Sequence, residues 1–127
     1  MEPKVIRPEE GGEYFFREGC YILEVSNGEH DPALSIARAR LAPGERTRRH
    51  VLDGVTERYL IAAGRGRVYL DDRPPQVVTV GDVVLIPPGS IQSIENTGDV
   101  DLVFHALCTP RFTPDCYRDV EDSVDNG

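Results

Sequence analysis

No stretch of the sequence approaches the ~20 consecutive apolar residues that a membrane-spanning helix needs. The amino terminus, MEPKVIRPEEGGEYFF, also lacks the apolar core of a signal peptide. Both absences point to a soluble cytoplasmic protein. Positive charge is scarce as well: 14 Lys plus Arg stand against 22 Asp plus Glu, for a formal charge of −8. Such a balance repels a phosphate backbone, which argues against nucleic acid and anionic membranes as partners. The cysteines, Cys20, Cys108 and Cys116, are odd in number and show neither C-x-x-C nor zinc-ribbon spacing. A disulfide framework is therefore not expected; the thiols read as reduced, and Cys108 and Cys116 as buried and inert rather than redox-active. There is no fixed-period repeat and no low-complexity segment.

What is present is punctuation. Twelve glycines and ten prolines in 127 residues leave little room for long helices and ample room for short strands joined by turns. The chain is of a size for one domain with a single core, and the expected class is all-β with few or no helices. Residues 1–13 are polar and carry Pro3, Pro8 and Gly11-Gly12; they read as an arm, either loose or added as an edge strand to a partner subunit. Residues 14–118 carry the strand signals, and residues 119–127 read as an acidic, frayed tail.

Within the central region, Tyr14 to Phe16 and Cys20 to Val25 are aromatic and β-branched runs on either side of Gly19. Pro32 to Leu41 is ambiguous: its alanines, arginines and leucines favour a helix, while its alternation permits a strand. Strands are then expected at Arg67 to Leu70, Gln76 to Val80, Val83 to Ile86, Ile91 to Glu95 and Leu102 to Leu107, with an irregular course from Thr109 onward.

Two hairpins carry the candidate chemistry. Asp53-Gly54 is a strong local signal for a two-residue type I′ turn. Closing the chain there pairs His50 with Glu57 on one sheet face, together with Arg48, Leu52, Tyr59 and Ile61. That face is polar where a core face is normally apolar. Arg46, Arg48 and Arg49 form a basic knot beside His50, which either receives a small anionic substrate or is simply solvated. Centring the second hairpin on Gly98-Asp99 pairs Gln92 with His105, a register that a bulge would slip. If both hairpins turn the same face inward, His50, Glu57, Gln92 and His105 meet in one cavity. Two imidazoles and a carboxylate are the ligand set of a mononuclear iron site with open positions.

The spacing of these residues resembles the two motifs of the cupin superfamily. In G-x5-H-x-H-x3,4-E-x6-G the matching positions are Gly44, His50, Leu52, Glu57 and Gly64; in G-x5-P-x-G-x2-H-x3-N they are Gly81, Pro87, Gly89, Gln92 and Asn96. Leu52 and Gln92 stand where the family has histidine. The resemblance implies a small single-domain cupin of the conserved-barrel type, an antiparallel β-barrel or jelly roll, and it makes Pro32 to Leu41 a strand. It further implies a homodimer and a divalent transition metal (Fe, Mn, Ni or Zn) held by His50 and Glu57. Gln92 offers only a neutral carbonyl oxygen as a third ligand, and His105, outside both motifs, is a compensating ligand by register alone.

On this reading Glu57, Tyr59 and Arg48 are the catalytic candidates: Arg48 holds an anionic group, and Tyr59 donates its phenol to a ligand or packs as a barrel aromatic. Two functions stay open. One is a metal-dependent enzyme acting on a small organic acid, sugar derivative or ring compound; the other is a binding module that kept the cavity and lost the metal. For His50 and Glu57 the plain alternative is a hydrogen-bonded cross-strand pair.

Overall fold

The structure, a computed structural model, describes residues 1–122. Its strands are β1 (Tyr14–Phe16), β2 (Cys20–Ser26), β3 (Ser35–Leu41), β4 (His50–Leu52), β5 (Thr56–Ala63), β6 (Arg65–Leu70), β7 (Gln76–Thr79), β8 (Val83–Ile86), β9 (Gln92–Asn96), β10 (Leu102–Thr109) and β11 (Tyr117–Asp119). They form two antiparallel sheets, one in the order β1-β2-β3-β10-β5-β8 and the other β11-β4-β9-β6-β7. The inner faces meet over a core that includes Leu41, Ile61, Ile86, Ile94 and Leu102, each no more than 1% exposed. Pro32 to Leu41 does contain a strand, β3, because β2 and β10 flank it on both sides and outweigh its helical propensity.

The strands close into a barrel at tight corners. At the β5–β6 corner, Gly64 has φ +82° and a Cβ there would sit 2.6 Å from the Asp101 carbonyl oxygen, so only glycine lets the two chains approach. The Asp53-Gly54 corner differs from expectation. A type I′ turn needs positive φ at both central residues, and here Gly54 has it (φ +72°) while Asp53 does not. The chain accordingly leaves one sheet and enters the other. β4 pairs with β11 and β9, and β5 pairs with β10 and β8, so His50 and Glu57 are not cross-strand neighbours. They face each other from opposite sheets.

The second hairpin is also corrected. Gln92 pairs with His50 and Leu70, whereas His105 lies in the other sheet between Arg38 and Leu60. At the termini, the arm is tethered to β3 by ion pairs, Glu10 to Arg38 at 3.0 Å and Glu13 to Arg40 at 2.7 Å. The segment after Thr109, read as irregular, contains β11. Asp119, read as the start of a frayed tail, ends that strand; Val120 is buried, and the Glu121 carboxylate accepts the Arg49 backbone N–H at 2.6 Å. The rest of the expected tail, residues 123–127, lies outside the described residues.

Candidate functional site

One end of the barrel interior holds a cavity of about 50 Å³ that opens past the half-exposed Tyr14. Strand alternation decides which side chains reach it: β4 turns His50 and Leu52 inward, β5 turns Glu57 and Tyr59, and β10 turns Phe104, Ala106 and Cys108. Glu18, from the turn between β1 and β2, and Tyr117, the first residue of β11, add to the polar wall, as do Tyr14, Glu24 and Ser35.

His50 is 1% exposed, and both ring nitrogens are engaged. Nδ1 lies 2.7 Å from the Arg48 carbonyl oxygen. A carbonyl only accepts, so Nδ1 carries a proton. Nε2 lies 3.0 Å from Glu18 Oε2, an ion-pair distance that places a second proton between ring and carboxylate. The Tyr117 ring stacks on the imidazole with centroids 5.1 Å apart and planes at 21°.

Glu57 has no comparable partner. Burial, and secondarily the charge of Glu18, push its carboxyl up to about 7, against smaller opposing pulls from His50, Gln92 and Cys108. Its Oε2 receives the Cys108 thiol at 3.6 Å, and its Oε1 has no hydrogen-bond partner among the described residues. The Tyr117 hydroxyl is buried and unpartnered in the same sense. The thiols of Cys20 and Cys108 are raised by burial first and by neighbouring carboxylates next, which keeps them protonated and unreactive.

The structure thus brings His50, Glu57 and Tyr59 to one cavity, with the latter two on neighbouring inward positions of β5. It does not bring the other candidates there. Arg48 precedes the first residue of β4, so the strand alternation does not extend to it; its guanidinium faces solvent and holds Asp119 at 2.6 Å. His105 alternates with Phe104 and Ala106, which line the cavity, and therefore points to the outer face of its sheet. Gln92 is fully buried but off the cavity wall. Its Oε1 accepts the Tyr59 phenol, and its Nε2 leans toward Glu57 without completing a hydrogen bond. Tyr59 is thereby held as a neutral donor, its ionisation opposed by burial and by the nearby carboxylates.

These positions decide how a metal would fit. Leu52 supplies no donor, the Gln92 carbonyl oxygen is taken by Tyr59, His50 Nε2 is turned to Glu18, and His105 is outside. Among the described residues no three His, Cys, Asp or Glu side chains converge on a point where an ion could sit. The donors of this cavity do not fit a transition metal. Glu18 and Tyr117, two polar wall residues outside both motifs that the sequence reading did not single out, come from a turn and a three-residue strand with no periodic signal of their own.

Comparison with known proteins places this arrangement. A cupin domain model matches residues 37–109. Over 78 residues the chain is 38% identical to the oxalate-binding protein of Thermotoga maritima, a match covering 61% of this chain and 64% of that protein, less than two thirds of its length. An uncharacterised protein of Methanocaldococcus jannaschii is 36% identical over 110 residues, 85% of each chain. Among solved structures, a predicted oxalate decarboxylase from Thermotoga maritima superposes with a TM-score of 0.69 at 31% identity, covering 83% of this chain and 93% of that one.

Proposed function

The chain belongs to the cupin domain family, and on that premise we propose that its barrel binds a small carboxylic acid without the help of a metal ion. The observation that carries this reading is the pair of buried polar atoms on the cavity wall that have no partner among the described residues, Glu57 Oε1 and the Tyr117 hydroxyl. Leaving such atoms unpaired is costly, and the cost is recovered when a ligand pairs them. With its carboxyl held up to about 7, Glu57 is protonated below that pH and donates from the oxygen that lacks a partner. Tyr117 donates its O–H. Two such donors suit the oxygens of one acid group, while Phe16, Phe104 and Phe112 offer apolar contact for the rest of a ligand no larger than the cavity.

The oxalate-binding name of the Thermotoga maritima relative supports an acid as the ligand. The reading is of a binder: the wall has donors for an anion, and no metal donor set for oxygen or Lewis-acid chemistry. Calorimetric titration of the chelator-treated protein with oxalate, malonate and benzoate tests it. Binding is expected in chelator, and Tyr117→Phe, which keeps the ring on His50, is expected to weaken it by about five- to tenfold. Binding that requires added Fe, Mn, Ni or Zn would replace this reading with a metal-dependent one built on His50 and Glu57. No binding of any acid would end it.

A further inference from the structure

Glu18 stands on the cavity wall with no counterpart in either motif. Resting on the acid-binding reading above, we propose that Glu18 guards a further donor of the acid site, His50 Nε2: its carboxylate sits on His50 in the free protein, and an incoming acid displaces it. His50 Nε2 is a buried ring nitrogen on the wall, and at 3.0 Å it already holds a carboxylate oxygen. An acid entering while Glu18 stays would put two carboxylates beside Glu57 in a cavity of about 50 Å³. An acid that takes the place of Glu18 exchanges one carboxylate for another and leaves no charge unpaired.

The way Glu18 is held favours such an exchange. Its backbone carbonyl accepts the Arg48 N–H at 2.6 Å, which fixes the turn. Besides His50, its carboxylate has among the described residues only the Cys20 thiol at 3.1 Å, a weak donor. The side chain, already 14% exposed, therefore swings while the strand stays. At the rim the Arg17 guanidinium lies over the Phe16 and Tyr117 rings, at 5.7 and 4.5 Å from their centroids. Arg17 makes no ion pair among the described residues, so the displaced carboxylate meets a cation outside.

The test compares the unsubstituted chain with Glu18→Gln, which keeps the shape and removes the competing charge, in titrations with oxalate, malonate and benzoate. Glu18→Gln is expected to bind tighter by about tenfold, as expected when a competing charged contact is removed. Binding by Glu18→Gln alone also supports the proposal. Equal or weaker binding by Glu18→Gln, with the unsubstituted chain still binding, overturns it and leaves the acid-binding reading standing. If neither chain binds any acid, both fall. Should Glu18→Gln not fold, the unsubstituted chain suffices: the ¹³C resonance of the Glu18 carboxyl shifts on saturation with acid if the group is displaced, and an unmoved resonance overturns the proposal.

Discussion

The two ends of the barrel interior are built on opposite terms. Along β5 the inward positions run from Ile61 at one end to Glu57 at the other, along β10 from Leu102 to Cys108, and along β3 from Leu41, paired with Leu102, to Ser35, paired with Cys108. The first end is filled with large apolar side chains that are essentially inaccessible. The second has the His50–Glu18 contact, a raised carboxyl, and hydroxyl and carboxyl atoms without partners among the described residues. Burial at the first end contributes stability directly. At the second it creates an unmet demand for hydrogen bonds, tolerated because the first end holds the strands in place.

The largest effect that would sharpen this contrast is a cavity cut into the apolar end. Ile94, fully buried between the sheets, is expected to cost about 2–5 kcal/mol when changed to alanine, read from urea or thermal unfolding. A cost well below that range would mean that the apolar end is loosely packed, and the division between the two ends would lose its basis.

This division was partly legible in the sequence. The glycine and proline spacing of the two motifs located the corners, and period-2 alternation correctly turned His50, Glu57 and Tyr59 inward. The relation between the first two was misread, because a local Asp-Gly signal says that the chain reverses and not which sheet receives the next strand. His105 failed for a related reason. Its register was inferred from a loop, whereas β10 is committed by its pairing with β3 and β5 on both sides. Glu18 and Tyr117 reach His50 from a turn far upstream and a short strand far downstream. Contacts of that kind are set by closure of the whole barrel, and no window of sequence contains them.

A smaller effect distinguishes the polar end by its pH dependence. Glu57 titrates at about 7 in the folded chain against an ordinary value of 4.5, so the native state holds this proton more tightly than the unfolded state. Its contribution to stability is complete below the unfolded value and is lost as pH rises through the folded one, by on the order of 3 kcal/mol at most. Glu24, also raised by burial, acts in the same direction. Glu13, Asp53 and Asp119 are lowered, chiefly by hydrogen bonds from arginines, and their contributions are lost only at more acid pH. Unfolding in urea at about pH 5 and about pH 8 should therefore show the chain weaker at the higher pH. Glu57→Gln should flatten most of that difference, and an unchanged slope would mean that Glu57 is solvated and the polar end is not closed.

The smallest expected effect bears on where the site ends. Arg48 is two residues before His50, and a strand extended backward by two residues would place both on the cavity wall. The strand begins at His50, however, and the Arg48 side chain lies outside on Asp119. Only its backbone enters the site, through the N–H given to the Glu18 carbonyl and the carbonyl that receives His50 Nδ1–H. Alanine keeps both groups. Arg48→Ala is therefore expected to leave acid affinity within about twofold of the unsubstituted chain, as for other surface substitutions, and to change stability little, since exposed ion pairs contribute little. A clear loss of affinity in calorimetry would show that the Arg48–Asp119 contact governs how β4 and β11 present His50 and Tyr117. The polar end would then depend on its outer surface as well as on the packed end beneath it.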